Sequence, residues 1–156
     1  MDKQPETGRL IWYPHAGDDF RTPQTYQRME DLIICTDVVY LSDLRKIERG
    51  LFALKRDDLA LWTPEQYCLV DPASEKIPQF DVILFKHLYV KGFNWDNLDL
   101  LKGEGELWVH RADDCRNIIP PKVCRKYGLG RVDETYDGDF KIYRKILKPV
   151  PVPETI

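Results

Sequence analysis

Residues Arg9–Arg21 read RLIWYPHAGDDFR: the apolar run Leu10–Tyr13, then Pro14, His15, the small pair Ala16-Gly17 and two acids, Asp18 and Asp19. A strand that runs straight into a small-residue turn is how ligand-binding α/β sheets open, because a turn without bulky side chains lets backbone approach a ligand at the strand's carboxyl end. The turn holds one glycine, Gly17, where the dinucleotide fingerprint has three. The stretch therefore says more about fold than about ligand.

Outward from it, strands and helices alternate. Thr22-Pro23 reads as an N-cap followed by proline at the first helical position, predicting a short helix from Pro23 to Met29. Asp31–Tyr40, DLIICTDVVY, is rich in Ile and Val and predicts a second strand with Asp37 near its carboxyl end. Between Leu41 and Leu54 the residues Leu44, Ile47, Leu51 and Leu54 recur at helical spacing and predict an amphipathic helix weakened by Gly50. Gln66–Val70 predicts a third strand, stopped by Asp71-Pro72. Phe80–Phe85, FDVILF, is the near-continuous apolar run of a strand covered on both faces. A loop from Lys86 to Asn94 leads to a helix around Trp95–Leu101, a closing turn at Lys102-Gly103, and a strand at Glu106–His110. Pro121–Tyr127 predicts a helix ended by Gly128. Arg131–Thr135 and Phe140–Leu147 predict two strands joined through Asp137-Gly138, a strong hairpin signal. The expected architecture is α/β: a Rossmann-like open sheet, mostly parallel with a C-terminal antiparallel hairpin. A single domain spans residues 1–148, followed by a Pro-rich flexible tail, residues 149–156.

Composition sets the bounds. With 156 residues, 43% of them hydrophobic and 31% charged, the chain is sized for one core and far from the profiles of disordered or disulfide-dense proteins. A net charge of -3 offers no global attraction to nucleic acid or anionic lipid. The start MDKQPETGRL has no secretory pattern and the apolar runs are short of a membrane span, so a cytoplasmic location and no membrane partner are expected. Cys35, Cys68, Cys115 and Cys124 form no CxxC pair and read as free thiols, the first two in the core.

The second half, with FDVILF, LLKGEGELWVHR and the closing hairpin through FKIYRKI, resembles the corresponding half of class I S-adenosylmethionine-dependent methyltransferases. Lys102, Gly103 and Gly105 stand where that family carries a Lys-Pro-Gly-Gly-like turn, and the family's reversed last strand fits the hairpin at Asp137-Gly138. The resemblance covers Arg9 to Leu147. It implies a cofactor site for S-adenosylmethionine in the loop Tyr13, Pro14, His15, Ala16, Gly17 and Asp18. It further implies Asp37 on the ribose hydroxyls and Asp71 on the adenine side. The chain departs from the family in its short span between Val70 and Phe80, in lacking N-terminal substrate-capping helices, and in having Lys86-His87-Leu88 where nucleic-acid amino-methylating enzymes carry an Asn/Asp-Pro-Pro-Tyr motif.

Other residues admit two readings. Asp18-Asp19 suits a ligand's ammonium or ribose hydroxyls, or plain turn capping. His87 and His110 fall at carboxyl ends of predicted strands, the ligand side of an open α/β sheet, yet a histidine satisfied at the sheet rim fits equally. His110 with Asp113, Asp114 and Cys115 matches no zinc spacing, so no metal is expected, and no Walker loop, nucleophile elbow or His-Glu-x-x-His motif is present. The catalytic residues are open, because methyl transfer does not demand a base. The basic runs KVCRKYGLGR and FKIYRKILK offer a face for RNA, or merely a solvated edge strand. Three functions follow: a methyltransferase-like protein with a small-molecule cofactor, a degenerate relative serving as a protein-binding or assembly module, and an RNA-associated protein.

Overall fold

The computed structural model describes residues 8–14, 16, 19–36, 45–48, 50–54, 79–86, 95–111 and 119–146. The strands are β1 (Leu10–Pro14), β2 (Leu32–Thr36), β3 (Arg45–Glu48), β4 (Leu51–Leu54), β5 (Phe80–Phe85), β6 (Leu101–His110), β7 (Leu129–Glu134) and β8 (Phe140–Lys145). They form one sheet in the order β3-β4-β2-β1-β5-β6-β8-β7. The central β4, β2, β1, β5 and β6 run parallel, whereas β3, β8 and β7 each pair antiparallel with their neighbours. Taken in chain order, the parallel strands have the 3-2-1-4-5 order of a doubly wound sheet, with the direction of winding reversing between β1 and β5. The fold is the expected α/β Rossmann-like sheet with an antiparallel C-terminal hairpin.

Alternation along the strands sorts the core into two faces. One face carries a row that crosses the sheet in register: Phe52, Ile34, Trp12, Ile83, Leu107 and Tyr143. The 3-10 helix Trp95–Leu100 and α2 (Pro121–Tyr127) contribute Leu98 and Tyr127 to the same cluster. The opposite face carries Ile11, Tyr13, Ile33, Cys35, Val82, Leu84 and Trp108, against which Phe20 and Tyr26 pack from the ends of α1 (Arg21–Tyr26). β1, β2 and β5 contribute to both clusters, as expected of strands buried on both sides.

Several elements match their predicted bounds. β5 coincides with FDVILF, and α2 ends where Gly128 adopts φ 64, the left-handed cap for which glycine is suited. The hairpin turn lies between β7 and β8, with Gly138 at φ 75.

The amphipathic helix predicted over Leu41–Leu54 is overturned. Arg45–Glu48 and Leu51–Leu54 form the antiparallel pair β3–β4, with Gly50 at φ 73 just before β4. Leu51 and Ala53 are buried while Phe52 packs on the other face, a period of two that the helical spacing of the leucines had masked. Any Cβ at residue 50 would sit 2.5 Å from the Asp31 carbonyl oxygen, and that backbone's own oxygen accepts the Ile33 N–H. The predicted N-cap also shifts: Thr22 and Pro23 lie inside α1, which begins at Arg21 and ends at Tyr26. The expected turn at Lys102-Gly103 is absorbed into β6 as an irregularity, since Phe80 pairs with Leu101 and Val82 with Glu106, with Glu104 at φ 67 between them. The Gln66–Val70 strand and the tail lie outside the described residues.

Ile83, fully buried in the middle of the transverse row, tests the arrangement. Ile83→Ala should cost about 2–5 kcal/mol in urea unfolding, whereas Met29→Ala, at a residue 80% exposed, should stay within about 0.5 kcal/mol. Equal effects would refute the central position of β5.

Candidate functional site

The carboxyl ends of β1 and β5 meet at the point where the sheet's winding reverses, the position at which open α/β sheets bind ligands. A polar cluster occupies that point. The Tyr13 hydroxyl, at the end of β1, donates to Asp19 Oδ2 at 2.8 Å, and the Thr22 hydroxyl donates to the same oxygen at 2.6 Å. Lys86, the first residue beyond β5, donates from Nζ to Asp19 Oδ2 at 3.1 Å and to Thr22 Oγ1 at 2.9 Å. Asp19 Oδ1 accepts the Thr22 N–H at 3.2 Å, so this side chain satisfies one N–H of the first turn of α1 while joining the helix to two central strands.

The electrostatics follow from this geometry. Burial opposes ionisation of Asp19, but bonds from Thr22, Tyr13 and Lys86 outweigh it and hold its carboxyl down at about 2. Burial, followed by the hydrogen bond to that anion, pushes the Tyr13 phenol far above its ordinary value. Burial likewise raises the Cys35 thiol, which faces Tyr13 across the β1–β2 ladder and is chemically quiet. The cluster is thus a fixed carboxylate beside a fixed ammonium, suited to orienting a charged ligand and unsuited to accepting protons near neutral pH.

Of the predicted cofactor residues, Tyr13 is fully buried and spends its hydroxyl on Asp19, while Pro14 closes β1 as a buried residue. Ala16 is buried too, its N–H donating to the Thr36 carbonyl at 3.0 Å and its own carbonyl accepting the Asp19 N–H at 2.9 Å. The loop backbone is therefore tied to the end of β2. Trp12 Nε1 donates to Thr36 Oγ1 at 2.9 Å, so that strand end is held from both sides. His15, Gly17, Asp18, Asp37 and Asp71 lie outside the described residues, as do His87, Cys68, Asp113, Asp114 and Cys115. His110 ends β6 with its ring 5.1 Å from Phe140. Among the described residues no three His, Cys, Asp or Glu side chains gather as metal ligands, and no helix is long and apolar enough to cross a membrane.

Sequence reasoning missed Lys86 and Thr22. The signal that marks Lys86 is its place as the first residue beyond the apolar run Phe80–Phe85. The solvated edge strand expected at FKIYRKILK is corrected: β8 lies between β6 and β7, Lys145 is half-buried, donating from Nζ to the carbonyls of Leu98 and Leu101 at 3.1 and 2.9 Å, and Tyr143 packs on the core. That lysine serves the end of the 3-10 helix, leaving the basic run less charge to offer a polyanion.

No protein-family model matches the chain, and no curated protein matches it significantly. Among solved structures, the chain is similar to Burkholderia thailandensis 1,6-didemethyltoxoflavin-N1-methyltransferase, crystallised with bound 1,6-didemethyltoxoflavin and S-adenosylhomocysteine. The TM-score is 0.47 at 13% identity, covering 90% of this chain and 72% of that one.

Asp19 titrates lower when folded than its unfolded value of about 3.9. Its stabilising contribution is therefore complete above about pH 4 and is lost as pH falls towards 2. Thermal unfolding of Asp19→Asn across that interval should show a shallower acid dependence than the parent chain. An unchanged slope would remove Asp19 from this role.

Proposed function

We propose that the chain is a methyltransferase-like protein that binds S-adenosylmethionine, or a nucleoside of the same kind, at the carboxyl end of β1. The observation that carries this reading is the strand order, with winding that reverses between β1 and β5 and a reversed β8 beside β6. The loop Tyr13–Asp18 would face the cofactor, with Asp37, next after the final residue of β2, on the ribose and Asp71 on the adenine side. The donor set suits the cofactor's amino-acid portion: Asp19 already holds one ammonium, that of Lys86, together with two hydroxyls. When bound, S-adenosylmethionine would supply a methyl group activated by its sulfonium. The chain's own task would be to orient cofactor and acceptor and to exclude water, which requires no general base.

A second reading, a module that keeps the fold without the cofactor and serves protein assembly, is favoured by one observation. Tyr13, Thr22 and Lys86 all bond Asp19 Oδ2, so the cluster ties β1, α1 and the end of β5 together, a structural task that needs no ligand.

Calorimetric titration with S-adenosylhomocysteine separates the two. Micromolar binding that is lost in Asp37→Ala is the expected result. Absence of binding at millimolar ligand would overturn the cofactor reading in favour of the assembly module.

A further inference from the structure

At the other end of β1, α1 stops at Tyr26 after six residues, about 9 Å of helix. The sheet changes character beside it. The row Leu51, Ile33, Ile11, Val82 continues across β6 and β8 as Glu106 and Arg144, a pair 3.0 Å apart. Two grooves of about 390 and 460 Å³ meet here, sharing Arg9, Arg28 and Glu106 as walls. The larger is also lined by Tyr26, Trp108 and Tyr136.

The shared wall is built around a held arginine. Arg9 spends Nε on Asp31 and Nη2 on Asp31 and the Tyr26 carbonyl, which leaves Nη1 without a hydrogen bond among the described residues. Its guanidinium carbon lies 5.9 Å from the centre of the Trp108 ring. The exposed Arg28 guanidinium meets no carboxylate among the described residues, because Asp31 takes only its backbone N–H, at 2.8 Å. The acid on this wall is already occupied: Glu106 binds Arg144 at 3.0 Å and the Trp108 indole N–H at 3.1 Å. Asp81 in the smaller groove is held by Lys102, while Glu104 and Asp133 each line one groove only. Where the grooves meet, Arg28 is the cation without a carboxylate partner and Arg9 Nη1 the donor without an acceptor among the described residues. Beside them stands an aromatic cluster, with the Tyr26 ring 5.3 Å from Trp108 and 6.4 Å from Tyr136, itself 87% exposed.

We propose that this junction binds a planar aromatic anion, a ring bearing a phosphate or carboxylate. The acid group is held by Arg9 Nη1 and Arg28, and the ring lies against Tyr26 and Tyr136. Such ligands match the site because guanidinium nitrogens pair with planar or tetrahedral oxyanions while tyrosine faces accept rings. The site lies at the amino end of β1, apart from the cofactor position proposed above, and does not depend on it.

Calorimetric titration of the full chain with 1-naphthyl phosphate, alongside inorganic phosphate and 1-naphthol, tests the assignment. Saturable binding is expected, at least about tenfold tighter than either control. Arg28→Ser should weaken it about tenfold, Arg28→Lys less, and Tyr136→Ser should weaken it without moving the thermal unfolding midpoint, since both side chains are exposed. Saturating S-adenosylhomocysteine should leave the affinity unchanged. No saturable binding at millimolar probe, an affinity equal to that of phosphate alone, indifference to both Arg28→Ser and Tyr136→Ser, or displacement by S-adenosylhomocysteine would each overturn the proposal.

Discussion

The organisation of the sheet depends on Asp31, a carboxylate with a side chain only 2% exposed that accepts the Arg9 N–H, the Arg9 guanidinium and the Arg28 N–H. A carboxylate taken out of water is costly unless its oxygens are met by donors, and here those donors come from two chain segments. Meeting them brings the start of β1 against the entry to β2, where the Leu32 N–H donates to the Arg9 carbonyl and Leu10 pairs with Leu32. From that pairing the register runs through Trp12 and Ile34 to the rest of the central row. Burial works against ionisation of this acid, and Arg9 and the two backbone N–H groups overcome it, so its carboxyl titrates below the usual range.

A second acid mirrors it at the far end of the same strand. Asp19 gathers Tyr13, Thr22 and Lys86, so β1 is held by a hydrogen-bonded carboxylate at each end. The two anchors differ in use. Asp31 is saturated by the scaffold and fixes one edge of a guanidinium, leaving the other edge to the groove. Asp19 sits where the winding reverses and includes a partly exposed lysine among its partners, which makes it the more exchangeable of the two.

Much of the fold was legible because its signals are local. FDVILF can be little other than a buried strand, Gly128 stops a helix by adopting a left-handed conformation, and Asp137-Gly138 turns a hairpin. The β3–β4 pair was not, because Leu44, Ile47, Leu51 and Leu54 satisfy helical spacing by chance, while the pairing of β4 with β2 that fixes the strand is a non-local contact. The candidate site divides likewise. The loop after β1 could be located from its small residues, but the partnership of Asp19 with Lys86 spans 67 positions and exists only once β1 and β5 are adjacent. Arg9 and Arg28 carried no sequence signal, since they are brought together only by separate bonds to Asp31, Arg9 through its backbone and guanidinium and Arg28 through its backbone N–H.

The sheet's two outermost pairings share one irregularity. β3 slips against β4 between Lys46 and Glu48, and β7 slips against β8 between Arg131 and Asp133. A flat rim of unpaired amides would serve as a template for another chain's backbone, and each slip bends the rim away from that geometry. At β7 the side chains of Arg131, Asp133 and Glu134 add charge to the same edge. The sheet is thereby closed to growth at both sides, and strand-by-strand aggregation meets a poor seed at either margin.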